Sequence, residues 1–158
     1  MASEHVAIEV IIDEDDKDSN NTQFLQCLSD LDCSVVVGRH KSKIEACNAG
    51  RVEDWGVIML ASDDMFPIER GYDIKIVAAM ETHFPLRDGA LNFNDGYNKE
   101  HVRPGEAITN TIPIYGRHLY EEYGRVIYHP EYRSIYCDTD ASFLFNKMNR
   151  MAFVDEII

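Results

Sequence analysis

An apolar, β-branched run over residues 5–12 stops abruptly at Asp13-Glu14-Asp15-Asp16, which predicts a buried strand leading into an acidic loop. Asn20 or Asn21 then stands where it can cap a helix whose Phe24, Leu25, Leu28 and Leu31 form one apolar face. A second strand is expected over 33–37, ended by Gly38. A short helix follows over 42–49, with Ile44 and Cys47 inward and Gly50 as its stop. The third strand is expected over 55–60. Beyond it the pattern predicts a helix over 69–82, a short strand over 90–93, a strand over 112–115, a helix over 117–123 and a strand over 126–128. A last helix is expected over 141–151, with Leu144, Met148 and Met151 inward.

Strands alternating with helices through the first half indicate right-handed βαβ units and a mainly parallel sheet flanked by helices. Ligands in such a sheet sit beyond the carboxyl ends of the strands. The 158 residues fit one domain, and 45% hydrophobic with 27% charged residues excludes a disordered or low-complexity chain. Fifteen Lys and Arg against 28 Asp and Glu leave a formal charge of −13, which disfavours general nucleic-acid binding. A phosphorylated small ligand remains compatible, because carboxylates can hold a divalent cation that neutralises phosphate oxygens. The four cysteines, Cys27, Cys33, Cys47 and Cys137, contain no CxxC pair and read as reduced thiols. The opening apolar run lacks a basic flank and is broken by Glu9, so it fits neither a signal peptide nor a membrane span, and the cytoplasm is the default location.

The third strand delivers two adjacent carboxylates, Asp63 and Asp64, to its carboxyl end. Two like charges so close either raise one pKa or recruit a cation. Mg²⁺ typically takes one or two protein carboxylates and completes its shell with water and substrate phosphates, so the turn points to a metal–diphosphate site; a plain helix cap is the structural alternative. Upstream lies Lys43-Ile-Glu-Ala-Cys-Asn48-Ala-Gly50. A K-x-x-A-x-N-x-G string, an apolar strand and a Ser-Asp-Asp turn, in that order, resemble the inverting family 2 glycosyltransferases, whose fold is called GT-A. The resemblance covers residues 5–67 and extends more loosely to Asp140. It implies a nucleotide-diphospho-sugar transferase-like sheet and binding of a nucleoside diphosphate sugar through Mn²⁺ or Mg²⁺. In the nucleotide-binding half, 5–67, Asp13 with Asp15 resembles the acidic position that reads the base or ribose, Lys43 and Asn48 the nucleotide-contacting helix, and Asp63 and Asp64 the metal-binding turn. Two departures stand out: Ala61 replaces a first carboxylate, and the family's opening strand, with its Pro-containing loop, has no counterpart.

Inverting transfer requires a general base at the acceptor hydroxyl. In the acceptor half, 68–158, Asp138 is the first choice, at the end of an expected strand and the opening of the last helix. Asp140 and Asp95, the latter in an Asn-Asp-Gly turn, are the other choices. Arg117, after a strand and Gly116, is suited to meet phosphate or sugar oxygens. His118 and His129 are minor choices for a further metal ligand. The expectation is therefore a single GT-A-like domain that moves a sugar, in a hexosyltransferase-type reaction, from a nucleotide-sugar donor to an unidentified acceptor. A homo-oligomer is compatible with it. The alternatives are a catalytically inactive nucleotide-sugar-binding or protein-interaction module of the same fold, and a nucleotidyltransferase, which the lack of a Gly-rich phosphate loop disfavours.

Overall fold

A computed structural model describes residues 6–62, 65, 68–96 and 109–158. The described elements run β1 (Glu9–Asp13), α1 (Thr22–Asp30), β2 (Ser34–Gly38), α2 (Lys43–Cys47), β3 (Val57–Met59), α3 (Tyr72–His83), β4 (Ala90–Phe93), β5 (Ile114–Gly116), α4 (Arg117–Glu122), α5 (Cys137–Lys147) and β6 (Met151–Val154). Local chemistry accounts for their starts and stops. Asn21 Oδ1 accepts from the Phe24 amide at 2.8 Å and caps α1, and Ser42 Oγ accepts from the Glu45 amide at 3.2 Å and caps α2. Helix α5 ends in a paired closure in which the Asn149 amide donates to Asn146 O and the Arg150 amide to Phe145 O. Asn149 takes the left-handed conformation, φ 55°, that this closure requires.

The strands form two sheets. β1 and β2 pair parallel, with Asp13 opposite Gly38. The second sheet has the order β3-β5-β4-β6, in which β4 and β6 are parallel and β5 runs antiparallel to both neighbours. The class is thus mixed α/β, and the expectation of one mainly parallel sheet is corrected. β5 enters between β3 and β4 in the opposite direction.

Two apolar clusters sandwich the second sheet. Ile44, Ala90, Tyr115, Leu119, Ile127, Tyr128, Cys137, Ala141 and Phe145 fill one side, with Tyr115 and Tyr123 each set edge-on to Phe145 at centroid distances of 5.2 and 5.0 Å. Ile76, Met80, Leu91, Phe93 and Ile114 fill the other. Each large side chain removed from water here contributes about 1.5–3 kcal/mol. In and beside the first sheet, Ile12, Leu28 and Val36 are buried but belong to neither cluster; the register pairs Ile12 with Val37 and Val36 with Ile11, so Ile12 and Val36 face opposite sides of the sheet. Gly116 lets two segments meet: its amide donates to Gly89 O at 2.9 Å, and a Cβ there would lie 2.4 Å from Arg87 O.

Two further expectations change. Residues 126–128 are not a strand, because the amides of Ile127 and Tyr128 and the carbonyl of Tyr128 bond to the side chain of Asn48 instead of to a neighbouring strand. The last helix begins four residues earlier than expected, at Cys137, and stops before Met151, which opens β6. The expected strand leading into Asp138 is also absent, since residues 131–136 form turns and bends. No described helix is long and apolar enough to cross a membrane.

Candidate functional site

The carboxyl ends of β1 and β2 bring Asp13 and the segment after Gly38 together. Asp13 Oδ1 meets His40 Nδ1 at 2.6 Å and also accepts from the His40 amide at 3.2 Å. A carboxylate oxygen accepts, so Nδ1 is the donor in this pair. The next carboxylate, Glu14, pairs with Arg39. Asp16 organises the following turn by accepting from the amides of Asp18 and Ser19. Hydrogen bonds from Ser19 and Asp18 hold its carboxyl below the ordinary value. Asp15 is exposed and has no hydrogen-bond or ion-pair partner among the described residues.

Close by, α2 begins with Lys43, whose ammonium has no ion-pair partner among the described residues. Lys43 lines a cleft of about 470 Å³, whose other walls are Thr111, Tyr128 and the segment from Ser134 to Thr139, Asp138 included. Asp138 lies in the first turn of α5, where the helix dipole favours a carboxylate, and its Oδ1 accepts from the Thr139 amide at 2.8 Å. Behind it, Ser142 Oγ donates to Asp138 O at 2.6 Å and accepts from the Asn110 amide at 2.9 Å, which fixes α5 against the segment carrying Thr111. Thr111 Oγ1 in turn donates to Asp95 Oδ2 at 2.9 Å, so Asp95 adjoins the cleft wall through one hydroxyl.

Burial raises the pKa of Tyr128, Cys47 and Cys137. For Tyr128 the neighbouring Cys137 and Asp138 add to the effect, and for Cys137 Asp138 does. These groups are therefore neutral around neutral pH, and the cleft's charges are those of Lys43 and Asp138. The rim residues Ile135 and Tyr136 are strongly exposed, and Tyr136 adopts a left-handed φ of 67° as α5 begins.

The remaining site residues named from sequence fall elsewhere. Asn48 spends its amide on the backbone: Nδ2 donates to Tyr128 O at 2.8 Å, and Oδ1 accepts from Ile127 N at 2.8 Å and Tyr128 N at 3.1 Å. Arg117 turns to the segment before β3. It bonds Glu53 O, pairs with Glu121 and stacks its guanidinium 5.4 Å from the Trp55 ring centre, at the end of β3 opposite Ser62. Asp140 sits among the tyrosine hydroxyls, where it helps raise the pKa of Tyr123, after burial, and of Tyr132. His118 and His129 are both exposed. Asp63 and Asp64 lie outside the described residues, and among the described residues no cluster of three His, Cys, Asp or Glu side chains could hold a metal ion.

Two participants escaped the sequence reading. His40 carried a signal, its position two residues beyond a strand-ending Gly38 and level with the end of β1, but no spacing rule linked it to Asp13. Thr111 carried none, since only the packing of α5 brings it to the cleft. Compared with protein-family models, curated proteins and solved structures, the chain shows no significant match to any.

Proposed function

We propose that the chain is a small GT-A-like glycosyltransferase domain that binds a nucleoside diphosphate sugar in the cytoplasm and transfers the sugar, with inversion, to an acceptor hydroxyl. One observation carries the reading. Lys43 and Asp138, distant in sequence and suited to opposite parts of such a reaction, line the same cleft. Asp138 takes the acceptor proton while the acceptor oxygen bonds to the anomeric carbon and the bond to the diphosphate oxygen breaks. The Lys43 ammonium offsets charge that develops on the departing diphosphate. Mn²⁺ or Mg²⁺, when bound by Asp63 and Asp64, would supply further neutralisation of the diphosphate; two carboxylates are within what such an ion takes from a protein.

The test is a thermal-shift panel of uridine, guanosine and thymidine diphosphates and their sugars, with and without Mn²⁺, followed by release of nucleoside diphosphate from the best donor. A ligand that binds only the folded chain raises the melting temperature. The expected result is a shift from at least one donor, with turnover in Asp138→Asn reduced by about 10²- to 10⁴-fold and binding retained. Absence of any shift across the panel refutes the reading. The commitment of Asn48 and Arg117 to backbone and ring contacts favours a second reading, a nucleotide-sugar-binding or interaction module without turnover. Donor binding with no nucleotide release from the wild type would select it.

A further inference from the structure

We propose that the exposed apolar rim of the cleft, Ile135 and Tyr136, seats the acceptor, and that the acceptor is an uncharged alcohol carrying an aromatic or alkyl group beside its reacting hydroxyl. The inference rests on the sugar-transfer reading above and names the substrate class that this reading leaves open.

Both residues line the cleft, in the segment that also carries Asp138. Ile135 is 72% exposed and Tyr136 67%, so packing within the chain accounts for neither. Backbone preference does not account for Tyr136 either, because its φ of 67° suits Asn or Gly better than an aromatic residue. Its ring has no aromatic neighbour and its hydroxyl no hydrogen bond among the described residues. The segment that presents the two side chains is pinned on both sides: Cys137 Sγ donates to Ser134 O at 3.0 Å, and the Asp140 amide donates to Tyr136 O at 3.0 Å. The apolar surface continues along α5, where Phe143, also 67% exposed, stands one turn beyond Thr139 of the cleft wall. A run of exposed apolar side chains leading out of a cleft marks a surface that another molecule covers.

The geometry of the reaction selects which molecule that is. In an inverting displacement the attacking oxygen and the leaving diphosphate oxygen lie on opposite sides of the anomeric carbon. Lys43, on α2, meets the departing diphosphate, so the acceptor enters from the α5 side of the cleft. Its hydroxyl gives its proton to Asp138 as its oxygen bonds to the anomeric carbon, and the diphosphate oxygen leaves with the bonding pair. The part of the acceptor next to that hydroxyl then lies over Ile135 and Tyr136, within three residues of the base. An aromatic or alkyl group gains there by leaving water, and a ring also stacks on Tyr136. A carboxylate or phosphate on the acceptor would instead meet Asp138 and a chain of formal charge −13, with Lys43 taken by the donor. The same charge on each copy opposes a second molecule of this chain as the occupant.

Phenyl β-glucoside and methyl β-glucoside test this, because they share the sugar hydroxyls and differ in the apolar group. Each is titrated calorimetrically into the full chain with Mn²⁺ and uridine or guanosine diphosphate. Each is then supplied as acceptor with uridine diphosphate glucose or guanosine diphosphate mannose, and release of nucleoside diphosphate is followed. The phenyl compound is expected to bind about 10-fold more tightly and to show a KM about 10-fold lower at similar kcat. The combined substitution Ile135→Ser and Tyr136→Asn changes two exposed positions, the second to a residue that accepts a left-handed φ. It is expected to bring the two glucosides within about twofold of each other while the diphosphates keep their affinity within about twofold. Tyr136→Phe is expected to keep the preference. Equal binding of the two glucosides, a preference that survives the double substitution, a preference in binding that KM does not follow, or bound donor with no release to either glucoside overturns the inference and leaves donor binding intact. Failure of both diphosphates and both donors to bind overturns the sugar-transfer reading and this one together. Light scattering of the wild type and the double variant decides on a second copy: a dimer that the substitutions dissolve assigns the rim to it and overturns the proposal.

Discussion

Replacing Asn48 by Ala should cost stability through a segment remote in sequence. Its side chain serves three backbone groups, the amides of Ile127 and Tyr128 and the carbonyl of Tyr128, at 2.8 to 3.1 Å. Both residues are buried, at 3% and 6% exposure, so water cannot readily replace what the amide supplied. A buried polar group left unmatched costs about 1–3 kcal/mol, and three at the low end give about 3 kcal/mol. In a domain of this size that lowers the melting temperature by about 6–12 °C. Asn48→Asp should fall between wild type and Ala, because it retains both acceptances, loses the donation and sets a carboxylate against the Tyr128 carbonyl. Urea unfolding followed by circular dichroism reads the difference from the midpoint at constant slope. A loss under about 1 kcal/mol in the Ala variant would refute the argument that this side chain takes the place of strand pairing.

Gly116→Ala should destabilise by about 1–3 kcal/mol, because the new methyl meets Arg87 backbone rather than a side chain that can swing away. Gly124→Ala, with φ 92° and no atom within 4 Å of the added Cβ, should cost only the left-handed backbone term of about 1–2 kcal/mol, and urea midpoints rank the two. Alkaline pH should unfold the chain progressively. Burial pushes the Tyr123 phenol up to about 12 and Tyr128 higher still, whereas an unfolded tyrosine ionises near 10. The unfolded state therefore binds fewer protons between those values, and stability present below about pH 10 is lost as pH rises through 12. Absorbance at about 295 nm should show these tyrosines ionising together with loss of structure. Asp138→Asn should reduce sugar transfer by about 10²- to 10⁴-fold in a nucleotide-release assay, while removing about 0.3–1 kcal/mol of helix-dipole stabilisation.

The fold was most legible where one residue's chemistry decides a boundary. Asn21 and Ser42 announce α1 and α2, and the apolar run 90–93 matches β4 residue for residue. It was least legible where distant backbone groups choose their partners. Val126-Ile-Tyr128 has a strand's composition, but Asn48 answers its hydrogen bonds. Met151 to Val154 continues an apolar pattern that suits either structure, and the stop signal, Asn149 as a left-handed closure, was present but outweighed by Met148 and Met151 at helical spacing. The site divides in the same way. Lys43 came from the resemblance and Asp138 from its place at the opening of the last helix, and both lie on one cleft, whereas Arg117 was picked by residue type and position and its guanidinium is drawn to the Trp55 ring.

The separation of β1 and β2 from the larger sheet bears on how the molecule opens. Among the described residues no ladder of main-chain bonds crosses between the two sheets, and α2 is the seam: Ile44 is seated in the large core while Asn48, just past the helix end, fastens its far side. A body joined in this way loosens in stages. Amide protons of Val10 to Ile12 and Val35 to Val37 should exchange with deuterium through a lower-energy opening than those of Leu91 and Tyr115. Asp13 then belongs to the more easily released half, so a bound ligand that reached from it to Lys43 would act as a rivet, slowing exchange most in β1 and β2.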